Sequence, residues 1–202
     1  MDIYERMANG YLYDPADGDL AAEQLDCLEK LYDYNATRPH EGEKREKLLK
    51  DMFAEIGEHC YIEPPFHANF GGKFVHFGDW VYANFNLTLV DDCAIYVGNN
   101  VMFGPNVTVA TAGHPVLPKL RETGVQFNLP VHIGNNVWLG AGCIVLPGVT
   151  IGDNSVIGAG SLVAKDIPAN VVAYGSPCRV VREIGEHDKI YYYKDRKIDI
   201  DF

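Results

Sequence analysis

Apolar positions change their period once along the chain. Up to about residue 60 they recur every three or four residues. Leu20, Leu25, Leu28, Leu31 and Tyr32 are separated by Glu23, Asp26, Glu29 and Lys30, the spacing of an amphipathic helix. A second stripe, Leu48, Leu49, Met52, Phe53 and Ile56, runs through the segment from Glu41 to Ile56. Its residues Glu43 to Lys47 are all charged, and Gly57 is placed to stop it. Two helices joined by Asn35–His40 follow from this pattern.

Helical spacing then vanishes and glycine becomes frequent. An aliphatic or aromatic residue trailed by small or polar ones returns at every sixth position. The series runs Val97-Gly98-Asn99-Asn100, Phe103-Gly104-Pro105-Asn106, Ile133-Gly134-Asn135-Asn136, Leu139-Gly140-Ala141-Gly142 and Val145-Leu146-Pro147-Gly148. It continues through Ile151-Gly152-Asp153-Asn154, Ile157-Gly158-Ala159-Gly160 and Val163-Ala164-Lys165-Asp166, with weaker copies at Phe77-Gly78, Ala83-Asn84 and Leu89-Val90. A period of six is the signature of a hexapeptide β-helix. The apolar residue points inward, and Gly, Asn and Asp permit the turns between very short strands.

The repeat breaks between Val109 and Ile133, where His114, Pro115, Pro118, Arg121, Glu122, Gly124, Gln126, Asn128 and Pro130 cannot continue an aliphatic column. This segment is expected to leave the coil as an extended loop. The fold class is therefore mainly β: an N-terminal α-helical segment at 1–60, a parallel β-helix at 61–185 extruding a loop at 110–131, and a tail at 186–202.

The 202 residues suffice for one such domain. With 28 acidic against 17 basic side chains the formal charge is -11, which argues against a general phosphate-backbone binder while allowing a local basic pocket. Five scattered cysteines, Cys27, Cys60, Cys93, Cys143 and Cys178, form no CxxC pair, so free thiols are expected rather than a zinc or disulfide framework. The N-terminus lacks the profile of a signal peptide, and no apolar run approaches the roughly 20 residues that span a bilayer. The expectation is a cytoplasmic protein with neither nucleic-acid nor membrane partners.

Taken with Tyr82–Asn86, the loop Thr111–Val116, Ile133–Trp138 and Gly175–Val180, the hexads resemble the hexapeptide-repeat sugar O-acetyltransferases along nearly the whole chain. The helical N-terminus is similar to that of the galactoside and maltose branch. The tail around Arg182-Glu183-Ile184 and Tyr191–Asp195 resembles the galactoside enzymes more than the maltose ones. The resemblance implies a left-handed coil, a homotrimer with active sites between subunits, and transfer of acetyl from acetyl-CoA to a sugar hydroxyl, with no metal required.

A sugar hydroxyl does not ionise at neutral pH, so its attack on a thioester needs a general base. Imidazole, with a reference pKa of about 6.5, suits that role. His114 stands at the mouth of the loop between a glycine and a proline, a setting that an ordinary turn would share; the flanking resemblance assigns it the base. Neither Cys143 nor Ser161 has a visible base partner, so direct attack without an acyl-enzyme is expected. By resemblance, Asn84 and Asp92 hold the acceptor. Asn69 stands at a position often serine, and Gln126 at a methionine position of the galactoside enzymes. Asp17 is preferred to Asp14 as the N-terminal acidic contact. Ala141, Ala159 and Ala164 match positions lining CoA, with the Ala141 N–H stabilising the oxyanion and Trp138 packing beside the thioester. Lys165, Arg179 and Arg182 are the candidate phosphate partners.

Other readings are a maltose or glucose acetyltransferase, a xenobiotic acetyltransferase, an assembly scaffold, and a γ-carbonic-anhydrase-like hydro-lyase. The last would need three converging imidazoles, for which His114 and His132 are candidates.

Overall fold

Short parallel strands stack into three walls, and each wall gathers every third strand of the coil. The computed structural model describes residues 1–201; Phe202, the last residue of the expected tail, lies outside them. The first wall comprises Glu55–Ile56, Val75–Phe77, Ile95–Val97, Val131–Ile133 and Thr150–Ile151. The second comprises Tyr61–Ile62, Tyr82–Ala83, Met102–Phe103, Trp138–Leu139, Val156–Ile157 and Val171–Tyr174, and Arg179–Glu183 covers its end antiparallel. His67–Ala68, Thr88–Val90, Thr108–Ala110, Ile144–Val145 and Leu162–Val163 make the third.

Within each two-residue strand one side chain faces out and the next faces in, the alternation intrinsic to extended backbone. On the second wall this aligns Ile62, Ala83, Phe103, Leu139, Ile157 and Ala173 in one inward row. All six are buried, and they share a single core with Val109, Val145 and Val163 of the third wall. Bulk alternates between walls: Phe103 lies parallel to Phe77 of the first wall, ring centroids 6.0 Å apart, where Ala83 leaves room.

The corners explain the Gly-Asn-Asn and Gly-Asp-Asn sequences. A Cβ on Gly134 would stand 2.2 Å from Asp153 Oδ1 of the next coil, so only glycine permits the approach. That same oxygen accepts the Asn135 N–H at 2.7 Å, as Asn135 Oδ1 accepts the Asn99 N–H at 2.9 Å. Asn136, Asn154 and Asn170 all have φ between 54° and 61°. Their amides form a ladder, Asn136 Nδ2 donating to Asn154 Oδ1 at 3.0 Å and Asn154 Nδ2 to Asn170 Oδ1 at 2.8 Å. Asparagine thus supplies a left-handed corner and an inter-coil bond together.

Helices α1 (Ile3–Ala8), α2 (Gly18–Asn35) and α3 (Gly42–Met52) precede the coil. Leu31, Tyr34, Leu49, Met52 and Phe53 join the core of the first coil, closing the open end of the aliphatic column. Tyr34 Oη donates to the Ile62 carbonyl at 2.6 Å, and the Asn35 amide exchanges bonds with the Phe66 backbone at 2.8 and 2.9 Å.

Three details differ from the sequence reading. The helix expected to reach Ile56 ends at Met52. Phe53 is extended, Ile56 lies in the first strand of the coil, and Gly57 makes a coil corner instead of stopping a helix. The β-helix accordingly begins at Glu55–Ile56, paired with His76–Phe77, ahead of residue 61. On α2 the buried positions are Leu20, Leu31 and Tyr34, whereas Leu25 and Tyr32 are 65% and 75% exposed. At about 100° per residue, Leu25 and Tyr32 lie well off the Leu20–Leu31 line.

The ladder is testable. Asn154→Ala should cost about 2 kcal/mol, from a strained corner and lost inter-coil bonds, and Asn154→Gly only about 1 kcal/mol, because glycine keeps the backbone unstrained. Urea unfolding of both variants measures this; equal losses would show that corner conformation is not what Asn154 supplies.

Candidate functional site

The chain leaves the third wall at Thr111 and re-enters the first at Val131. The loop between is itself structured: Ala112–Gly113 pairs antiparallel with Phe127–Asn128, and a short helix α4 (Pro118–Arg121) lies at its tip. Gly113 is needed here because a Cβ would stand 2.9 Å from the Phe127 ring. Carrying the register one residue further sets His114 opposite Gln126.

His114 is exposed, and its Nδ1 lies 3.0 Å from the Val125 carbonyl. A carbonyl oxygen only accepts, so Nδ1 carries the proton. In the neutral ring Nε2 then keeps its lone pair, as a general base requires.

Beside it lies a buried polar cluster. Asp92, Gln126, Asn128 and Tyr13 are all less than a tenth exposed. Gln126 Nε2 donates to Asp92 Oδ1 at 2.9 Å and also to Tyr13 Oη. Asn69 Nδ2, at the rim, donates to Asp92 Oδ2 at 2.8 Å. The Asn128 amide donates to the Asp92 carbonyl at 3.0 Å. Both oxygens of Asp92 are therefore held in place. Burial, with the Asp92 charge adding to it, pushes the Tyr13 hydroxyl up to about 12, so it stays protonated. The neighbouring Asp91 is pushed up to about 7 by burial, against the opposing pull of the Phe70 and Gly72 N–H groups bonded to it at 2.8 and 2.9 Å; it braces the turn that carries Asn69.

The remaining candidates are more dispersed. Asn84, at the corner after Tyr82–Ala83, accepts the Phe85 N–H at 2.8 Å. Asp17 is the N-cap of α2, bonded to the Asp19 and Leu20 N–H groups at 3.2 and 3.3 Å, while Asp14 holds the Ala16 N–H at 2.9 Å. Trp138 is half exposed on the second wall, aligned between Met102 and Val156. Ala141 and Ala159 stack at the corner between the second and third walls, the Gly160 N–H donating to the Ala141 carbonyl at 2.8 Å. A Cβ on either Gly142 or Gly160 would meet nothing within 4 Å. This corner is an open, small-residue surface.

Ala164 and Lys165 are exposed beyond the last strand of the third wall. The Cys178 N–H bonds to the Leu162 carbonyl at 2.8 Å, which brings Arg179 to the same end of the coil. Arg182 differs: its guanidinium holds Asp188 through two bonds of 2.7 and 2.8 Å, and that pairing draws the Asp188 carboxyl down to about 2. Arg182 would have to leave the pair to meet a phosphate, so Lys165 and Arg179 are the cations at hand. His132 lies on the first wall, stacked at 4.8 Å on Tyr96, whose other face carries His76 at 4.7 Å. Among the described residues no group of His, Cys, Asp and Glu converges as a metal site.

Tyr13 and Asn128 were not singled out from the sequence. For Asn128 a signal existed: the polar–apolar–polar run Gln126-Phe127-Asn128 is strand alternation, which puts both amides on one face. Tyr13 gave none, since it reaches the loop from 113 residues away.

Comparison with known proteins completes the description. Residues 6–57 match the maltose acetyltransferase hexapeptide capping motif, and residues 130–165 match the six-repeat bacterial transferase hexapeptide family. The galactoside O-acetyltransferase of Lactococcus lactis subsp. lactis (strain IL1403) is 59% identical over 201 residues, covering 100% of this chain and 97% of that protein. A galactoside acetyltransferase solved in complex with coenzyme A superposes with a TM-score of 0.95 at 50% identity, covering 99% of this chain and 100% of that one. A maltose O-acetyltransferase from Clostridium difficile 630 gives 0.90 at 43% identity, covering 92% and 99%. With identity of this order sustained from end to end, the chain belongs to the hexapeptide-repeat acetyltransferase family that includes the galactoside O-acetyltransferases.

Proposed function

We propose that this protein transfers the acetyl group of acetyl-CoA to a hydroxyl of a sugar, a galactoside in the first instance, with His114 as general base. The observation that carries the mechanism is the His114–Val125 bond, which fixes the ring with Nε2 free. His114 Nε2 takes the hydroxyl proton as the sugar oxygen attacks the thioester carbonyl. Asp92, Asn69, Asn84 and Gln126 orient the sugar, and Asp17 adds an acidic contact. The N–H of Ala141, which meets no acceptor among the described residues, faces the developing oxyanion. Trp138, Ala159 and Ala164 line the donor arm, and Lys165 and Arg179 meet its phosphates. Cys143 is fully buried, with its thiol directed to the Gly158 carbonyl, in keeping with direct transfer and no acyl-enzyme.

The single chain leaves His114 open on one side and exposes Tyr82, Met102, Trp138 and Phe85. These features support a homotrimer whose neighbouring subunit completes each site. No helix among the described residues is long and apolar enough to cross a membrane, and the five cysteines are free, as suits a reducing compartment. A maltose or glucose acceptor is the second reading, favoured by the match to the maltose acetyltransferase capping motif.

His114→Ala should lower kcat by about 10²- to 10⁴-fold, the usual worth of general acid–base catalysis, with acetyl-CoA affinity by calorimetry unchanged. A fully active variant would remove His114 from the mechanism. CoA release measured with galactosides, glucose and maltose should be greatest with galactosides; preference for maltose would transfer the protein to the second reading. Sedimentation equilibrium should return a trimer, and an active monomer would exclude sites shared between subunits.

A further inference from the structure

The hydrogen bonds around Tyr13 specify more than a packed tyrosine. Its backbone exchanges two bonds with Gln126, each of 3.0 Å, and its hydroxyl receives the Gln126 amide. An amide nitrogen carries two protons. Those of Gln126 are both spent, one on Tyr13 Oη and one on Asp92 Oδ1. Rotating the amide would turn its oxygen against the Asp92 carboxylate, so its orientation is determined. Asn128 Nδ2 donates to the Asp92 carbonyl at 3.0 Å and to Tyr13 Oη at 3.1 Å, and its Oδ1 accepts the Tyr13 hydroxyl proton at 3.2 Å. The bonds close a ring from the Asp92 carboxylate through Gln126, Tyr13 and Asn128 to the Asp92 carbonyl.

One polar atom is left over. Gln126 Oε1 accepts no bond from the described residues, yet no buried side-chain atom among them lacks a partner, so Oε1 is not wholly enclosed. It can only accept.

We propose that Tyr13 is a positioning residue that sets acceptor specificity: it holds the Gln126 amide so that Oε1 faces the sugar as an obligate hydrogen-bond acceptor. The inference rests on the sugar-acetyltransferase reading above. The chemistry it selects is a hydroxyl at the facing ring position. A deoxy or O-methyl sugar offers no proton there and leaves Oε1 unpaired, and sites built to bond a hydroxyl reject such analogues strongly. Without the tyrosine hydroxyl one amide proton loses its partner, the amide loosens, and the discrimination fades.

The test compares a galactoside with its monodeoxy analogues in the wild type, Tyr13→Phe, Gln126→Met and the double variant. In the wild type one analogue should lose tenfold or more in kcat/KM. Tyr13→Phe should raise the KM for the galactoside several-fold and shrink that penalty, with the KM for acetyl-CoA unchanged. Added to Gln126→Met it should do nothing further, because the atom it positions is gone. Asn128→Ala, which frees the tyrosine hydroxyl from its acceptor, should reproduce the narrowed penalty and serves if Tyr13→Phe does not fold. A Tyr13→Phe effect equal in both backgrounds, or one that leaves the deoxy penalty intact, would overturn the inference while leaving the transferase standing. A wild type that acetylates no sugar would overturn the functional reading itself.

Discussion

Parallel strands pair at about 4.8 Å, and here the chain from Glu55 to Tyr174, apart from its loop, is one parallel stack, so every corner must repeat at that spacing as well as every strand. This is the constraint from which the rest follows. Corners that close admit no Cβ at positions such as Gly134, and they favour residues that accept a left-handed backbone, as Asn136, Asn154 and Asn170 do. Strands are cut to two to four residues, whose side chains alternate between the core and everything else. The inward row is committed to apolar packing throughout.

A wall of this kind offers outward side chains in columns and has difficulty concentrating several different polar groups at one point. The loop at 111–130 removes that restriction by leaving the coil. Its two strands hold His114, Gln126 and Asn128 near Asp92, while the N-terminal segment brings Tyr13 across from the other side. Each buried polar atom of the cluster finds a partner, as it must where an unsatisfied group would cost about 1–3 kcal/mol. The result is rigid on one side and open on the other: an imidazole held through Nδ1, a carboxylate with both oxygens directed, and an exposed imidazole face that a single chain does not cover. The corner proposed for the donor obeys the opposite rule. It needs smoothness, and the stacked Ala141 and Ala159 corners provide it.

The helical cap shows where local pattern stops being sufficient. Both main helices were legible from their three- and four-residue spacing, yet the faces that Leu25 and Tyr32 seemed to assign to the core are exposed. The first coil buries whichever stripe it meets, and it meets Leu31 and Tyr34. Phe53 and Ile56 continued the apolar stripe of α3 in sequence, but the chain spends them on closing the column and starting the first wall. Arg182 is the electrostatic counterpart: a cation named from the sequence as a candidate phosphate partner is held by Asp188, six residues on, once the tail folds back.

The sequence by itself determined the six-residue period, the break in it, and the polar residues of that break, His114 and Gln126 among them, to which the family resemblance attached roles as it did to Asp92. These are properties of neighbours along the chain, and a period repeated many times is hard to produce by accident. Tertiary structure alone decided which helix face is buried, which tautomer His114 holds, which cations remain available, and that Tyr13 joins Gln126 and Asn128 in a closed ring with Asp92. Those outcomes depend on the direction of individual hydrogen bonds and on contacts that range from six residues along the chain, for Arg182 and Asp188, to more than 100, for Tyr13 and Gln126, and the periodicity of the chain specifies none of them.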